Sequence, residues 1–338
     1  MNNKPIIIGE IAQAHDGSLG IAHSYIDALA SAGVDVIKFQ THIAEAESSI
    51  HEPFRVKFSY EDESRFDYWK RMEFTKEQWV GLKTHCEQKG VEFLASPFSC
   101  AAVDLLESLE VKKYKIGSGE VSNWLMLEKI ARTGKELILS SGMSSLTELD
   151  ATINFLKPFN NHLSILQCTT AYPTIAGQWG LNVIPLLKQR YALPVGFSDH
   201  SGNIFACIAA AALGAEILEF HAVYDKEMFG PDARASLTIS QVKQLVVGVK
   251  EISTDLNAHI NKESSDNFAE LKKIFEKSLA VNRPLEAGHI ISIEDLEAKK
   301  PAGYGIPAKD FLQTIGKRLL KNKSAWDFLE QADVDSNT

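Results

Sequence analysis

No two cysteines in this 338-residue chain have the spacing of a metal knuckle or a disulfide framework. Cys86, Cys100, Cys168 and Cys207 are scattered, and no Cys-x-x-Cys occurs. Thiols placed this way are expected to be reduced, as in a cytoplasmic enzyme. No apolar run reaches the roughly 20 residues that span a bilayer. Met1-Asn2-Asn3-Lys4 runs straight into a strand-like segment without a signal-peptide pattern. Positive charge is in deficit as well, with 35 Lys and Arg against 44 Asp and Glu and a net charge of −9. That balance argues against nucleic acid or an anionic membrane as the main partner. It also means that an acidic substrate needs a local positive pocket. Low-complexity tracts are absent.

What is present is a rhythm. Strand-like runs occur at Pro5–Glu10, Val34–Gln40, Val91–Ser96, Lys113–Ile116, Glu136–Ser140, His162–Gln167, Pro194–Ser198 and Glu216–His221. Helical patterns separate them, capped at Ser18 and starting near Thr75, Ser99, Ser122, Ser145, Leu181, Asn203 and after Ser240. Strict alternation implies a parallel sheet, and eight units in about 250 residues is the count of a closed (β/α)₈ TIM barrel. Periodicity alone leaves an open doubly wound sheet as the alternative. The barrel is assigned to residues 1–256, with a polar linker over 257–274.

Two stretches break the rhythm. Thr41 to Phe74 is a long insertion rich in charge and aromatics, read as an ordered flap. Residues 275–338 form a small β-rich module of short strands and turns, with few apolar side chains for a core of its own.

In a parallel barrel, chemistry collects where strands end. Those ends carry Glu10, Lys38 to His42, Ser96, Lys115 to Glu120, Ser140, Thr169 to Tyr172, Ser198 to His200 and Glu219 to His221. Lys38, Lys115, Ser96, Ser118, Ser140 and Ser198 suit a phosphate. Glu10 and Glu120 are candidates for acid–base work. His200 and His221 end neighbouring strands about 4.8 Å apart, so both imidazoles can reach one divalent ion and leave it open positions. Asp199 or Glu219 could orient those rings. Cys168 reads as a small buried residue.

Glu10 with Ala14-His15-Asp16-Gly17, Lys38-Phe39-Gln40-Thr41-His42 and Ser96-Pro97-Phe98-Ser99 stand in order. Tyr114-Lys115-Ile116-Gly117-Ser118-Gly119-Glu120, Ser141-Gly142-Met143 and Cys168-Thr169-Thr170-Ala171-Tyr172-Pro173-Thr174 follow. Phe197-Ser198-Asp199-His200, Ile217-Leu218-Glu219-Phe220-His221 and Gly230-Pro231-Asp232 complete the set. Together they resemble the sialic acid (N-acetylneuraminate) synthase family, which also makes legionaminic and pseudaminic acids. The module after residue 275 resembles that family's antifreeze-like (β-clip) domain. The resemblance implies condensation of phosphoenolpyruvate (PEP) with an open-chain N-acetylated amino sugar, releasing phosphate by C–O cleavage. It implies a divalent metal on His200 and His221, Mn²⁺ with Mg²⁺ or Co²⁺ as alternatives. PEP is then held by Lys38, Ser96, Lys115, Ser118, Ser140 and Ser198, and Glu10, Glu120 and Gln40 act near the sugar or the attacking water. Tyr172, Asp232, Thr170 and Lys300 fall on the sugar side, and the family is a domain-swapped homodimer.

Three positions depart from the family pattern: Ala14 and Thr170 where it has asparagine, and Lys300, which lacks the planar fork, where it has arginine. Residues 170 and 300 concern the sugar, so the sugar stays open. The residues alone also permit a Schiff-base aldolase using Lys115 or Lys38, or a sugar-binding barrel without activity.

Overall fold

The computed structural model of the chain describes residues 4–336. Eight parallel strands alternate with helices: β1 (Ile6–Glu10), β2 (Val36–Thr41), β3 (Glu92–Pro97) and β4 (Lys113–Ile116), then β5 (Glu136–Ser140), β6 (Leu163–Cys168), β7 (Val195–Asp199) and β8 (Ile217–Val223). Each strand pairs with the next, and β8 returns to β1 with Ile6 opposite Ile217 and Glu10 opposite His221. That last pairing closes the sheet, so the fold is a (β/α)₈ barrel and the open-sheet alternative falls.

The helices start largely where their caps dictate. Ser18, Thr75, Ser99 and Ser145 each accept a hydrogen bond from a first-turn amide. Other starts shift by a residue or two: Asn123 caps Trp124–Ala131, and Thr238 rather than Ser240 precedes Ile239–Leu256. The helices expected near Leu181 and Asn203 begin at Val183 and Phe205.

Strand alternation builds two layers inside the barrel. Ile8, Val36, Leu94, Ile138, Leu166 and Ile217 meet as an apolar plug. Two residues further along the same strands come Glu10, Lys38, Ser96, Ser140, Cys168 and Glu219, all buried. The intervening residues, among them Phe39, Phe93, Tyr114, Leu139, Phe197 and Phe220, face the helices in the main core. A polar layer thus rests on a dry floor.

The insertion is ordered, as its aromatics suggested. It carries helices Ala44–Glu47 and Arg65–Met72, the second started by a Ser64–Asp67 capping box. Ala44, Tyr68, Trp69 and Met72 form its own buried cluster, with Phe54, Phe58 and Phe66 packed on it.

The chain divides into compact units at Ala258 and His259. In the second unit β10 (Ser278–Val281) and β11 (Leu296–Lys299) pair antiparallel, a third short strand, β9 (Leu237–Thr238), belonging to the barrel. The stretch read as linker contains a 3₁₀ turn, Asp266–Phe268, and a helix, Ala269–Phe275. The expectation of little core is corrected. Leu279, Val281, Leu285, Ile291, Ile306, Leu319, Leu329 and Val334 are buried together, two from β10 and the rest from segments whose spacing has no period to reveal them. Among the described residues, no helix is long and apolar enough to cross a membrane.

One buried carboxylate staples this second unit. Asp295 is fully buried and receives Arg283 Nε, His289 Nε2 and the Ser292 amide, each at 2.8 Å. Burial raises its pKa, but His289, Ser292 and Arg283 outweigh burial and hold it well below the ordinary value. Its contribution is therefore complete above the unfolded value of about 4 and is lost as pH falls through the depressed folded value. We expect Asp295→Asn to lower the stability of the second unit by about 2 kcal/mol at neutral pH. Urea titrations of both proteins, repeated below pH 4, should show the difference shrinking with acid; a constant difference would contradict the assignment.

Candidate active site

Above the apolar plug lies a cavity of about 440 Å³, and every residue lining it belongs to the first unit. The size suits a small-molecule pair rather than a polymer.

Its floor is a buried charge cluster. Lys38 Nζ lies 2.9 Å from Glu10 Oε2 and 3.1 Å from Glu219 Oε2, and Lys115 Nζ lies 3.3 Å from Glu219 Oε1. Burial works against the Lys38 charge, yet Glu10 and Glu219 outweigh it and raise its pKa. At Lys115 burial prevails over Glu219, and the pKa is lowered. Glu219 is held below the ordinary carboxylate range, because Lys115 and Lys38 outweigh its burial. Ser198 Oγ donates to Glu219 at 2.9 Å. Ser96 Oγ and Ser140 Oγ are buried without a hydrogen-bond partner. Such orphaned donors are costly unless a ligand takes them. Two ammonium groups beside two free hydroxyls form a cradle for an oxyanion. Ser118 adds to it, its Oγ accepting from the Gly142 amide at 3.1 Å.

The histidines stand beside the cradle. The ring centroids of His200 and His221 are 5.2 Å apart. His200 Nδ1 meets the Thr169 carbonyl at 3.0 Å, so that nitrogen carries a proton and Nε2 is the ring nitrogen left to face a ligand. His221 Nε2 is 3.2 Å from Glu10 Oε2. One ring nitrogen fixed by a carbonyl, a second ring nearby and a carboxylate at its side fit a divalent cation with open positions. Among the described residues no group of three or more His, Cys, Asp or Glu side chains is assembled around a metal position.

Glu10 is further held by Gln40, whose Nε2 donates at 2.8 Å. A chain runs on outward: Gln40 Oε1 lies 3.2 Å from His42 Nε2, and His42 Nδ1 lies 2.6 Å from Glu47 Oε1. His42 is clamped between Trp69 and Phe98, with ring centroids 4.0 and 4.7 Å away. On the opposite wall Tyr172 lies 4.2 Å from the His200 ring, and the Arg55 guanidinium sits 4.1 Å over Tyr172 while pairing with Asp232 at 2.5 Å. Glu120 is half-buried and accepts from Asn123 at 2.7 Å; burial raises its pKa.

Residues 25–261 match the NeuB family and residues 276–334 match the SAF domain. The chain belongs to the NeuB family. It is 34% identical to the N,N'-diacetyllegionaminic acid synthase of Campylobacter jejuni, covering 94% of this chain and 97% of that protein. It is 31% identical to the human N-acetylneuraminate-9-phosphate synthase, covering 98% and 93%. Among solved structures, an N-acetylneuraminic acid synthetase from Leptospira borgpetersenii, in complex with citrate, superposes with a TM-score of 0.71 at 31% identity, over 80% of this chain and 90% of that one.

Against this NeuB frame the sequence-named residues can be placed. The cavity lining brings together Glu10, Lys38, Gln40, Ser96, Lys115, Ser118, Glu120, Ser140, Thr170, Tyr172, Ser198, His200, His221 and Asp232. Lys300 belongs to the second unit, where its Nζ lies 4.9 Å from the Phe275 ring centroid. Two second-rank roles need correction. Glu219 does not orient an imidazole but serves as counter-ion to both lysines, and Asp199 accepts from the amide and hydroxyl of Ser201. Cys168 is buried but also lines the cavity, its Sγ 3.8 Å from His200 Nδ1. Sequence reasoning missed Glu47 and Arg55, which sit in the insertion where no period points to them. Glu219 was legible, since it stands two residues before His221 and so shares its face.

Gly142 allows the cradle to close. A Cβ there would lie 2.5 Å from Thr170 Oγ1 and 2.6 Å from Ser118 Oγ. Gly142→Ala should fold normally yet lose about a hundredfold in kcat/KM through displaced Ser118. Steady-state kinetics with circular dichroism check this; unchanged kinetics in a folded variant would remove Ser118 from the cradle.

Proposed function

We propose that this NeuB-family enzyme condenses PEP with an open-chain 2-acetamido sugar to give a nonulosonic acid and inorganic phosphate. The observation that carries this reading is the pairing of Lys38 and Lys115 with the unpartnered hydroxyls of Ser96 and Ser140, beside His200 and His221. Lysines and serines receive the carboxylate and phosphate of PEP. A divalent cation, Mn²⁺ by the resemblance, would be held by His200 and His221 and would polarise the sugar aldehyde.

The rest follows from the chain's own groups. C3 of PEP forms the new bond to the aldehyde carbon, and the aldehyde oxygen takes a proton. Water adds to C2, and the C2–O bond breaks, so the bridging oxygen leaves with phosphate. Glu120, whose pKa burial raises, is the carboxyl suited to hold the proton for the new hydroxyl. Glu10, fixed from three sides by Lys38, Gln40 and His221, is the ionised partner that orients the attacking water. Tyr172, Asp232 and Thr170, which line the cavity, are assigned to the sugar. Lys300 is proposed to reach the sugar of a partner subunit in a domain-swapped homodimer, with the two active sites completed in trans.

Phosphate release with PEP and a panel of 2-acetamido sugars, in manganese and in chelator, tests the reading. Oxygen-18 at the bridge of PEP should appear in phosphate; label kept in the keto acid would contradict C–O cleavage. Glu120→Gln should retain PEP binding and lose about 10² to 10⁴ in kcat, and wild-type kcat should fall as pH rises past the raised pKa of Glu120.

The lowered pKa of Lys115 favours one second reading, a Schiff-base aldolase. Borohydride with pyruvate should trap no adduct; a covalent adduct on Lys115 would reverse the choice. For the dimer, mixing His221→Ala with Lys300→Ala should restore activity that neither has alone, and a fully active monomer by light scattering would sink trans completion.

A further inference from the structure

The two oxygens of Glu10 are held in different ways. Lys38 Nζ and His221 Nε2 both approach Oε2, at 2.9 and 3.2 Å. Oε1 is held by Gln40, whose Nε2 donates to it at 2.8 Å. The two ends of a primary amide share one shape and have opposite chemistry. A half-turn of the Gln40 amide would set its oxygen against the carboxylate, two acceptors with no proton between them. What keeps the amide the right way round lies behind it. Gln13 Nε2 donates to Gln40 Oε1 in a short contact, and His42 Nε2 lies 3.2 Å from the same oxygen.

His42 is itself fixed on every side. Its ring is buried and lies nearly parallel to Trp69 and Phe98, with interplanar angles of 19° and 10°, so it cannot swing without breaking both stacks. Nδ1 lies 2.6 Å from Glu47 Oε1, which makes that nitrogen the donor and turns Nε2 toward Gln40. Glu47 ends the one-turn helix Ala44–Glu47, and its Oε2 accepts from the Ile43 amide at 3.4 Å. That turn is tied to the rest of the insertion by Glu73, which accepts from the Ala44 amide at 2.7 Å.

Resting on the condensing reading, we propose that His42 and Glu47 are positioning residues for that reaction. Through Gln40 they keep Glu10 Oε1 aimed at the water that adds to C2. A carboxylate behind an imidazole is a common way to fix the ring's orientation, and here the ring passes that order to an amide. With the lock removed, Gln40 and Glu10 are free to turn. Misplacing such a group by about an ångström costs about a hundredfold in rate. The cradle of Lys38, Lys115, Ser96 and Ser140 keeps its own partners, so the loss falls on kcat and spares the KM for PEP.

The test measures phosphate release by the full-length enzyme with manganese, PEP and either N-acetylmannosamine or 2,4-diacetamido-2,4,6-trideoxymannose. His42→Phe keeps an aromatic ring between Trp69 and Phe98 and removes both nitrogens. We expect its kcat to fall about 30- to 100-fold, with the KM for PEP within about twofold of wild type. Gln40→Ala should fall at least as far. The His42→Phe, Gln40→Ala double variant should be no slower than Gln40→Ala alone, because the two residues act as one unit. Glu47→Gln still accepts from Nδ1 and should keep most of the activity. Glu47→Ala should lose as much as His42→Phe, and it replaces His42→Phe in the cycle where that variant does not fold. Wild-type kcat in these variants, a raised KM for PEP in place of a lowered kcat, or losses that multiply in the double variant would each overturn the inference and leave the condensing reading intact. No phosphate release by the wild type with either sugar removes the condensing reading, and this inference with it.

Discussion

Everything in the barrel is arranged around two lysines buried at the floor of its cavity. Lys38 and Lys115 are buried, and an ammonium moved out of water is stable only with close counter-charge. Glu219 supplies it to both, and Glu10 supplies more to Lys38. Without ligand the four charges balance, so an incoming trianion must be matched by something else. That balance explains why the two lysines and their two carboxylates share one buried layer of the barrel. It also explains why the floor must be dry. Water below the lysines would screen their attraction for an anion.

How much of this could be read beforehand depended on periodicity. The barrel strands alternate strictly, so their ends were located within about two residues, and the inward residues at each end followed. Lys38, Ser96, Lys115, Ser140, Ser198, His200 and His221 were found that way. Glu219 had the same parity as His221, but its role as shared counter-ion to lysines on β2 and β4 depends on which strands face one another across the barrel, and only closure reveals that. Helix starts slipped where several polar residues competed for one cap, as Ser122 and Asn123 did.

Two regions resisted because their order is not periodic. In the insertion, aromatic content announced a packed flap but not which side chains face the cavity. Glu47 and Arg55 reach it through a fold held by Tyr68, Trp69 and Met72. In the second unit, apolar residues are spaced through turns, so counting them underestimated the core that eight of them build. Its buried Asp295 looked like any surface carboxylate in a polar stretch, since its three donors come from different turns.

The hydrogen-bonded chain from Glu47 through His42 and Gln40 to Glu10 has a consequence for how such enzymes diversify. One end lies in the insertion that walls the cavity, and the other is the carboxylate beside His221. Selection on the wall therefore tugs on the chemistry. An insertion transplanted from a relative would bring a new acceptor surface, but it would also replace the outer anchor of Glu10. Exchanging that loop together with position 40 is the smallest unit that carries both the outer anchor and its link to Glu10.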